Sequence, residues 1–216
     1  MSAPITVSAG SGFVCIISEK LPDDLLSTAI CVLKFCNRYV GSEEEGKSIF
    51  DWSGFKNAID NYSGSDLSFD KFQNATINQT QASVADMTKK IITALKGMLG
   101  ISLSNDEAEV LAANVERTFT NLKMVKECGW ANFSQSAHGS SSWEYRLLVI
   151  LPNPDLTSFF YGLVTTIKLE ADIKEESTWW GLESSSSKNF SARIDVMNLI
   201  VMKGFKDAGS VQKTSA

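Results

Sequence analysis

The chain has 216 residues, 44% hydrophobic and 21% charged, with a formal net charge of -5 at pH 7. That length fits one domain, or two small ones, and is enough to bury a proper core. The acidic balance argues against nucleic acid as a partner, because a phosphate-binding surface carries a basic excess. No GxGxxG, P-loop or zinc-ligand spacing occurs, so no cofactor and no metal are expected.

The first residues, Met1 to Thr6, lack the basic residues and long apolar core of a signal peptide, which predicts a protein made in soluble form in the producer's cytoplasm. The first greasy run, Phe13-Val14-Cys15-Ile16-Ile17, reads as a short buried strand. Nothing approaches the ~20 apolar residues of a membrane-crossing helix, so any contact with a bilayer would follow folding in water. Glycosylation-type triplets at Asn61, Asn74, Asn78, Asn132 and Asn189 are read as chance in a Ser/Asn/Thr-rich chain. Cys15, Cys31, Cys36 and Cys128 show no metal or redox spacing and lie among apolar neighbours, as reduced core thiols do.

A helix opens at Pro22 with Asp23 and Asp24 in its first turn and Lys34 and Arg38 in its last, presenting Leu25, Ala29, Val32, Leu33 and Cys36 on one face. Gly41 to Gly46 reads as a solvated turn. Ser48 to Asp51 then resembles a capping box for a second helix with the stripe Trp52, Phe55, Ile59 and Tyr62. The two helices, about 22–62, are expected to form an antiparallel hairpin. Ser63 to Ala82 is polar, with at most a weak strand over Leu67 to Phe72.

A second helical hairpin, about 83–123, has clearer signals. Ser83 and Asp86 bracket its first helix, whose stripe is Val84, Met87, Ile91, Leu95 and Met98 up to Gly100. Ser104 and Glu107 repeat the device ahead of Leu111, Val115, Phe119 and Leu122. The hydrophobic period then changes to two. Strands are predicted at Trp130 to Phe133, Trp143 to Leu151, Phe159 to Ile173, Thr178 to Leu182 and Phe190 to Val196, within a region of about 128–201, with a frayed tail over 204–216.

The strand starting at Phe159 stands out. Tyr161, Leu163, Thr165, Ile167, Leu169, Ala171 and Ile173 share one face, while Lys168, Glu170, Asp172 and Lys174 share the other. At about 15 residues it exceeds the roughly 9 to 11 that cross a bilayer obliquely. Alternation is also the ordinary pattern of a half-buried strand in a soluble sheet. Trp179 and Trp180 are candidates for the lipid interface, where indole rings are favoured, or plain core. Lys168 and Lys174 are candidate headgroup contacts, set against solvated edge charges. His138 lies among serines without a nucleophile elbow or a placed acid, so no catalytic residue is assigned and an enzyme is not expected.

Helices first and strands afterwards is an α+β order, which predicts a single mixed α/β domain of three layers with helical hairpins over a mixed, largely antiparallel sheet. The segments Ala94 to Ser104 and Ala113 to Leu122 resemble the central helix pair of the Cyt family of cytolytic delta-endotoxins, which includes the mushroom pore-forming cytolysin volvatoxin. The resemblance in element order runs from about Phe13 to about Val201. It implies a soluble monomer that binds membrane lipids without a protein receptor, self-associates into homo-oligomers and permeabilises target-cell membranes. It further implies either a helical layer that swings away so that long strands insert, or detergent-like disruption from the surface. On that reading the stripe Met87, Ile91, Leu95, Met98, Leu111, Val115, Phe119 and Leu122 is a releasable seal. Bacterial members carry extensions removed by proteases, and the short ends here lead us to expect no long masking segment. The alternative function is a non-lytic lectin-like or storage protein of the same fold.

Overall fold

The structure, a computed structural model, describes residues 5–7, 12–43, 47–99, 105–121, 123, 131–135, 139–153 and 155–206. Leu122, Cys128 and His138, together with the tail from 207, lie outside the described residues. The strands of the main sheet are β1 (Ile5–Val7), β2 (Val14–Ile17), β5 (Leu67–Ser83), β6 (Ala131–Gln135), β7 (Ser141–Pro152), β8 (Phe159–Ala171) and β9 (Ser187–Met202). Their order is β1-β2-β7-β8-β9-β5, with β6 also paired to β7. β1 runs antiparallel to β2, and β2 runs parallel to β7. The sheet is therefore mixed, in agreement with the sequence expectation. By contacts the chain divides into two compact units, residues 1–71, 147–164 and 197–216 in the first, and 72–146 and 165–196 in the second.

In the first unit, β2 is buried along its whole length and registers with β7 from Val14 opposite Leu147 to Ile17 opposite Ile150. A continuous apolar run is what a strand needs when both its faces are covered. After Pro22 a 3-10 turn (Asp23–Leu25) leads into α1 (Leu26–Asn37), and the predicted stripe from Leu25 to Cys36 is buried as read. The connection that follows differs from expectation. Instead of a solvated turn, β3 (Val40–Glu43) and β4 (Lys47–Phe50) pair as an antiparallel ribbon. The helices are thus joined by a small sheet rather than a short loop. α2 (Trp52–Asp60) is capped by Asp51 itself, whose Oδ1 accepts from the Gly54 N–H at 2.8 Å.

The aromatic core of this unit also corrects the reading of the tail. Phe35 meets the rings of Phe55 at 5.4 Å and Phe205 at 5.9 Å, and Phe205 is 1% exposed. Gly204, at φ +96°, makes the turn that brings Phe205 inward, a conformation that L side chains resist. The chain is ordered core up to this point rather than frayed from Gly204. Phe205→Ala is expected to lower the free energy of unfolding by about 3 to 5 kcal/mol, measurable as a urea midpoint shift, because it empties a closed ring cluster.

Cys15 and Cys36 are fully buried in the same core. Desolvation pushes the Cys15 thiol up from 9.0 to about 12 and raises Cys36 as well. Such a shift favours the protonated native form, so stability is intact below the ordinary thiol pKa and falls as pH rises from 9 toward 12, where only the unfolded chain ionises freely. Native protein at mild alkaline pH is expected to leave both thiols unmodified by a thiol reagent, and denaturant to release them. Fast modification of both in the native state would contradict this burial.

The largest departure is β5, most of which lies in the second unit. Only a weak strand over Leu67 to Phe72 was expected, yet β5 runs for 17 residues. It lies at the end of the strand order, so one face and one edge need no apolar residues, and Ser, Thr, Asn and Gln suffice. Gln81, at φ 51°, breaks its run and donates its N–H to Asn189 Oδ1 at 3.0 Å. α3 (Val84–Leu99) starts as predicted, with Ser83 Oγ accepting from the Asp86 N–H and donating to the Asp86 carboxylate. α4 (Asn105–Thr120) follows. The strand expected at Thr178 to Leu182 is instead a short helix, α5 (Glu176–Trp180). Thr-Trp-Trp has β propensity, but docking of Trp179 decides the outcome: its Nε1–H donates to Ser141 Oγ at 2.7 Å in the buried interior.

Candidate membrane-active strands and their helical cover

Within the second unit, segments of β7, β8 and β9, neighbours in the strand order, alternate apolar with polar residues, the polar face being largely exposed on β8 and largely buried on β7. On β8, Thr165, Ile167, Leu169 and Ala171 are buried, while Lys168 and Glu170 are exposed. Beyond its end Ile173 is buried and Asp172 and Lys174 are exposed. On β9, Phe190, Ala192, Ile194 and Val196 alternate with Ser191, Arg193 and Asp195, and Arg193 Nε lies 3.1 Å from Asp195 Oδ2. On β7, Trp143 and Tyr145 alternate with Ser142, Glu144 and Arg146. Each segment therefore carries a greasy face and a face with ionisable groups.

Arg146 is wholly buried, with its Nη1 3.5 Å from Glu144 Oε1. Burial lowers the pKa of its guanidinium, and the adjacent Glu144 carboxylate opposes that. Tyr145 is also enclosed, and desolvation raises its phenol pKa while Thr118 of α4 acts the other way. Glu170 Oε1 accepts from Ser140 Oγ at 2.9 Å, and Asp172 accepts from the N–H and Nδ2 of Asn189. Among the described residues no group of His, Cys, Asp and Glu has the arrangement of a metal site.

The α3–α4 hairpin belongs to this unit and presents the predicted stripe inward. Met87, Ile91, Leu95, Met98, Leu111, Val115 and Phe119 are all buried, and Phe119 meets Phe190 of β9 edge to face at 5.5 Å. Among the described residues its polar ties include a side-chain hydrogen bond between Thr118 of α4 and Tyr145 of β7. The Val84 and Ala85 N–H groups donate to the carbonyls of Ser186 and Ser184 at 3.0 Å, and Ser184 Oγ donates to the Glu116 carboxylate. Burying seven such side chains is worth about 10 to 20 kcal/mol in water as an upper estimate. That force is hydrophobic and disappears where the surroundings are hydrocarbon.

The other sequence-selected residues separate. Leu163, in the first unit, is fully buried. Tyr161, also there, is only partly buried, and its hydroxyl accepts from Asn153 Nδ2 at 3.0 Å. Trp179 is core, whereas Trp180 is 41% exposed with Lys123 Nζ 5.7 Å from its ring centroid. What sequence reasoning missed is the matching charged face of β7, because Glu144 and Arg146 stand in a run otherwise apolar enough to pass for continuous core.

The lengths complete the description. β7, β8, β9 and β5 have 12, 13, 16 and 17 residues, each more than the roughly 9 to 11 that cross a bilayer obliquely. No described helix is long and apolar enough to cross a membrane.

A solved delta-endotoxin superposes with a TM-score of 0.77 at 14% identity, covering 98% of this chain and 91% of its own. The activated Cyt2Ba monomer of Bacillus thuringiensis subsp. israelensis gives 0.72 at 13%, covering 90% and 98%. These two likenesses establish the fold. The Bacillus thuringiensis toxin family model matches residues 57–210, and the chain belongs to that family, the Cyt cytolytic delta-endotoxins. It is 26% identical over 114 residues to the type-1Aa cytolytic delta-endotoxin of B. thuringiensis subsp. morrisoni, covering 52% of this chain and 46% of that protein. To the type-1Ba protein of subsp. neoleoensis it is 26% identical over 82 residues, covering 38% and 31%. The matched segments thus span less than half the length of these relatives.

Proposed function

We infer that this protein is a membrane-disrupting cytolysin. It binds lipid, releases the α3–α4 hairpin, self-associates and inserts strands. The observation that carries the reading is the repeated alternation on β7, β8 and β9 under a helical cover whose apolar stripe is buried. In a bilayer the greasy faces would meet lipid, and Lys168, Glu170, Arg193 and Asp195 would face water. A sheet edge cannot remain unpaired in hydrocarbon, so insertion requires several copies closing into a barrel. Lys168, Lys174 and Trp180 are exposed and available to headgroups, while Trp179 becomes available only if α5 also moves.

A non-lytic glycan binder of the same fold is the second reading. It would use an open cleft of about 260 Å³ lined by Asn78, Thr80, Ser140, Glu170, Asp172 and Asn189 among others. The aromatic residue of that lining, Phe190, is 2% exposed and offers no face for a sugar ring to stack on, which favours lysis. Purified protein is expected to release dye from vesicles of pure phospholipid containing no protein receptor. Vesicles that stay sealed across neutral, anionic and sterol-containing mixtures would reject the cytolysin reading.

A further inference from the structure

β5 presents an edge of an unusual kind. Its only partner among the described strands is β9, so the backbone donors and acceptors pointing away from β9 have no strand to pair with there. Native sheets blunt such edges with short strands, prolines, bulges or lysines. From Phe72 to Thr80, all within the second unit, β5 uses none of these: the sequence Phe72-Gln73-Asn74-Ala75-Thr76-Ile77-Asn78-Gln79-Thr80 holds no proline, no glycine and no ionisable residue. It spans about 30 Å at the usual rise per residue. Phe72, Asn74, Thr76, Asn78 and Thr80 are exposed, and the alternate residues are half-buried.

The segment is also close to a palindrome about Thr76. Laid antiparallel on a second copy around a two-fold axis, Thr76 faces Thr76, Ala75 faces Ile77, Asn74 faces Asn78, Gln73 faces Gln79 and Phe72 faces Thr80. Like meets like in side-chain amide and hydroxyl pairs, which hydrogen-bond across strands, and no charges of one sign are brought together. An isologous contact requires this kind of self-complementarity.

We propose that a second copy of this chain docks here, β5 against β5, antiparallel and centred on Thr76, so that one sheet continues through the two-fold. Roughly eight backbone hydrogen bonds form with little buried area, which places the contact among weak, concentration-dependent associations. The proposal stands whether or not the chain lyses membranes, and its test uses no lipid.

Sedimentation velocity of the full chain in buffer, across two decades of concentration, is expected to show a monomer–dimer shift. Thr76→Lys, an exposed substitution that sets two ammonium groups face to face, is expected to weaken dimerisation at least about tenfold with an unchanged melting temperature. In a Cys31→Ser, Cys128→Ser background, Thr76→Cys is expected to form a disulfide-linked dimer on mild oxidation, because directly opposed residues have Cα atoms about 4.5 to 5.5 Å apart. Ser68→Cys, exposed on the same strand but outside the paired window, is expected not to. A dimer that persists undiminished in Thr76→Lys overturns the proposal. So does a chain that stays monomeric throughout, with no Thr76→Cys crosslink.

Discussion

Joining Glu116→Cys on α4 to Ser184→Cys with a short, reducible bis-thiol reagent, in a Cys31→Ser, Cys128→Ser background, is expected to abolish dye release from vesicles. Reduction is expected to restore it. The two side chains already touch at the surface through the Ser184 hydroxyl and the Glu116 carboxylate, so the bridge holds the native arrangement without disturbing the core. Burial of the apolar stripe from Met87 to Phe119 clamps the hairpin in water by at most about 10 to 20 kcal/mol, and contact with lipid removes that clamp. A covalent tie does not depend on solvent. If the hairpin must leave before the strands insert, the bridged protein binds vesicles and stays there without leakage, a loss of well over tenfold. Full leakage from the bridged form would mean that the hairpin stays in place, as in surface disruption of lipid packing.

The second large effect concerns the two faces of β8. Ile167 is fully buried and Glu170 exposed. Ile167→Asp is expected to cut leakage at neutral pH by at least tenfold, because a carboxylate on the lipid-facing side costs on the order of 1 to 2 kcal/mol in each copy of the assembly. Glu170→Gln, on the water-facing side, is expected to change it less than about twofold. A buried carboxylate also weakens the water-soluble fold, and pH offers a control. Desolvation raises the pKa of a carboxyl, so acidification toward about pH 5 should neutralise the group introduced by Ile167→Asp and recover both folding and leakage, while the Glu170→Gln profile follows that of the parent. Equal losses for the two substitutions would refute the face assignment.

Much of the architecture was legible in the sequence because water enforces it. The stripes of α1, α3 and α4 and the alternation of β8 follow from helical and strand periods acting at a water boundary, and those side chains are buried where the period puts them. Legibility failed where that boundary is absent or changes side. β5 is polar because an edge strand has little to bury, so hydrophobic period could not find it. β9 was read only as far as Val196 because its buried set passes there from Phe190, Ala192, Ile194 and Val196 to Met197, Leu199 and Val201, which breaks the period of two. β3 holds glycine, serine and glutamate, a composition shared by turns and by small exposed ribbons, and the Ser48 to Phe50 part of β4 passes for the start of the next helix. The candidate site was half visible. β8 declared both its faces, whereas the charged residues of β7 and β9 gained meaning only when the strand order placed them beside it.

The most direct measurement places a spin label at Lys168, Leu169, Glu170, Ala171 and Asp172 in turn and reads its accessibility on vesicles. In the membrane-bound state, labels at Leu169 and Ala171 should collide with oxygen dissolved in lipid, and those at Lys168, Glu170 and Asp172 with a water-soluble nickel chelate. Strict alternation along the five positions is the result expected for a strand with one face in the bilayer. Uniform access of the chelate to all five would contradict insertion.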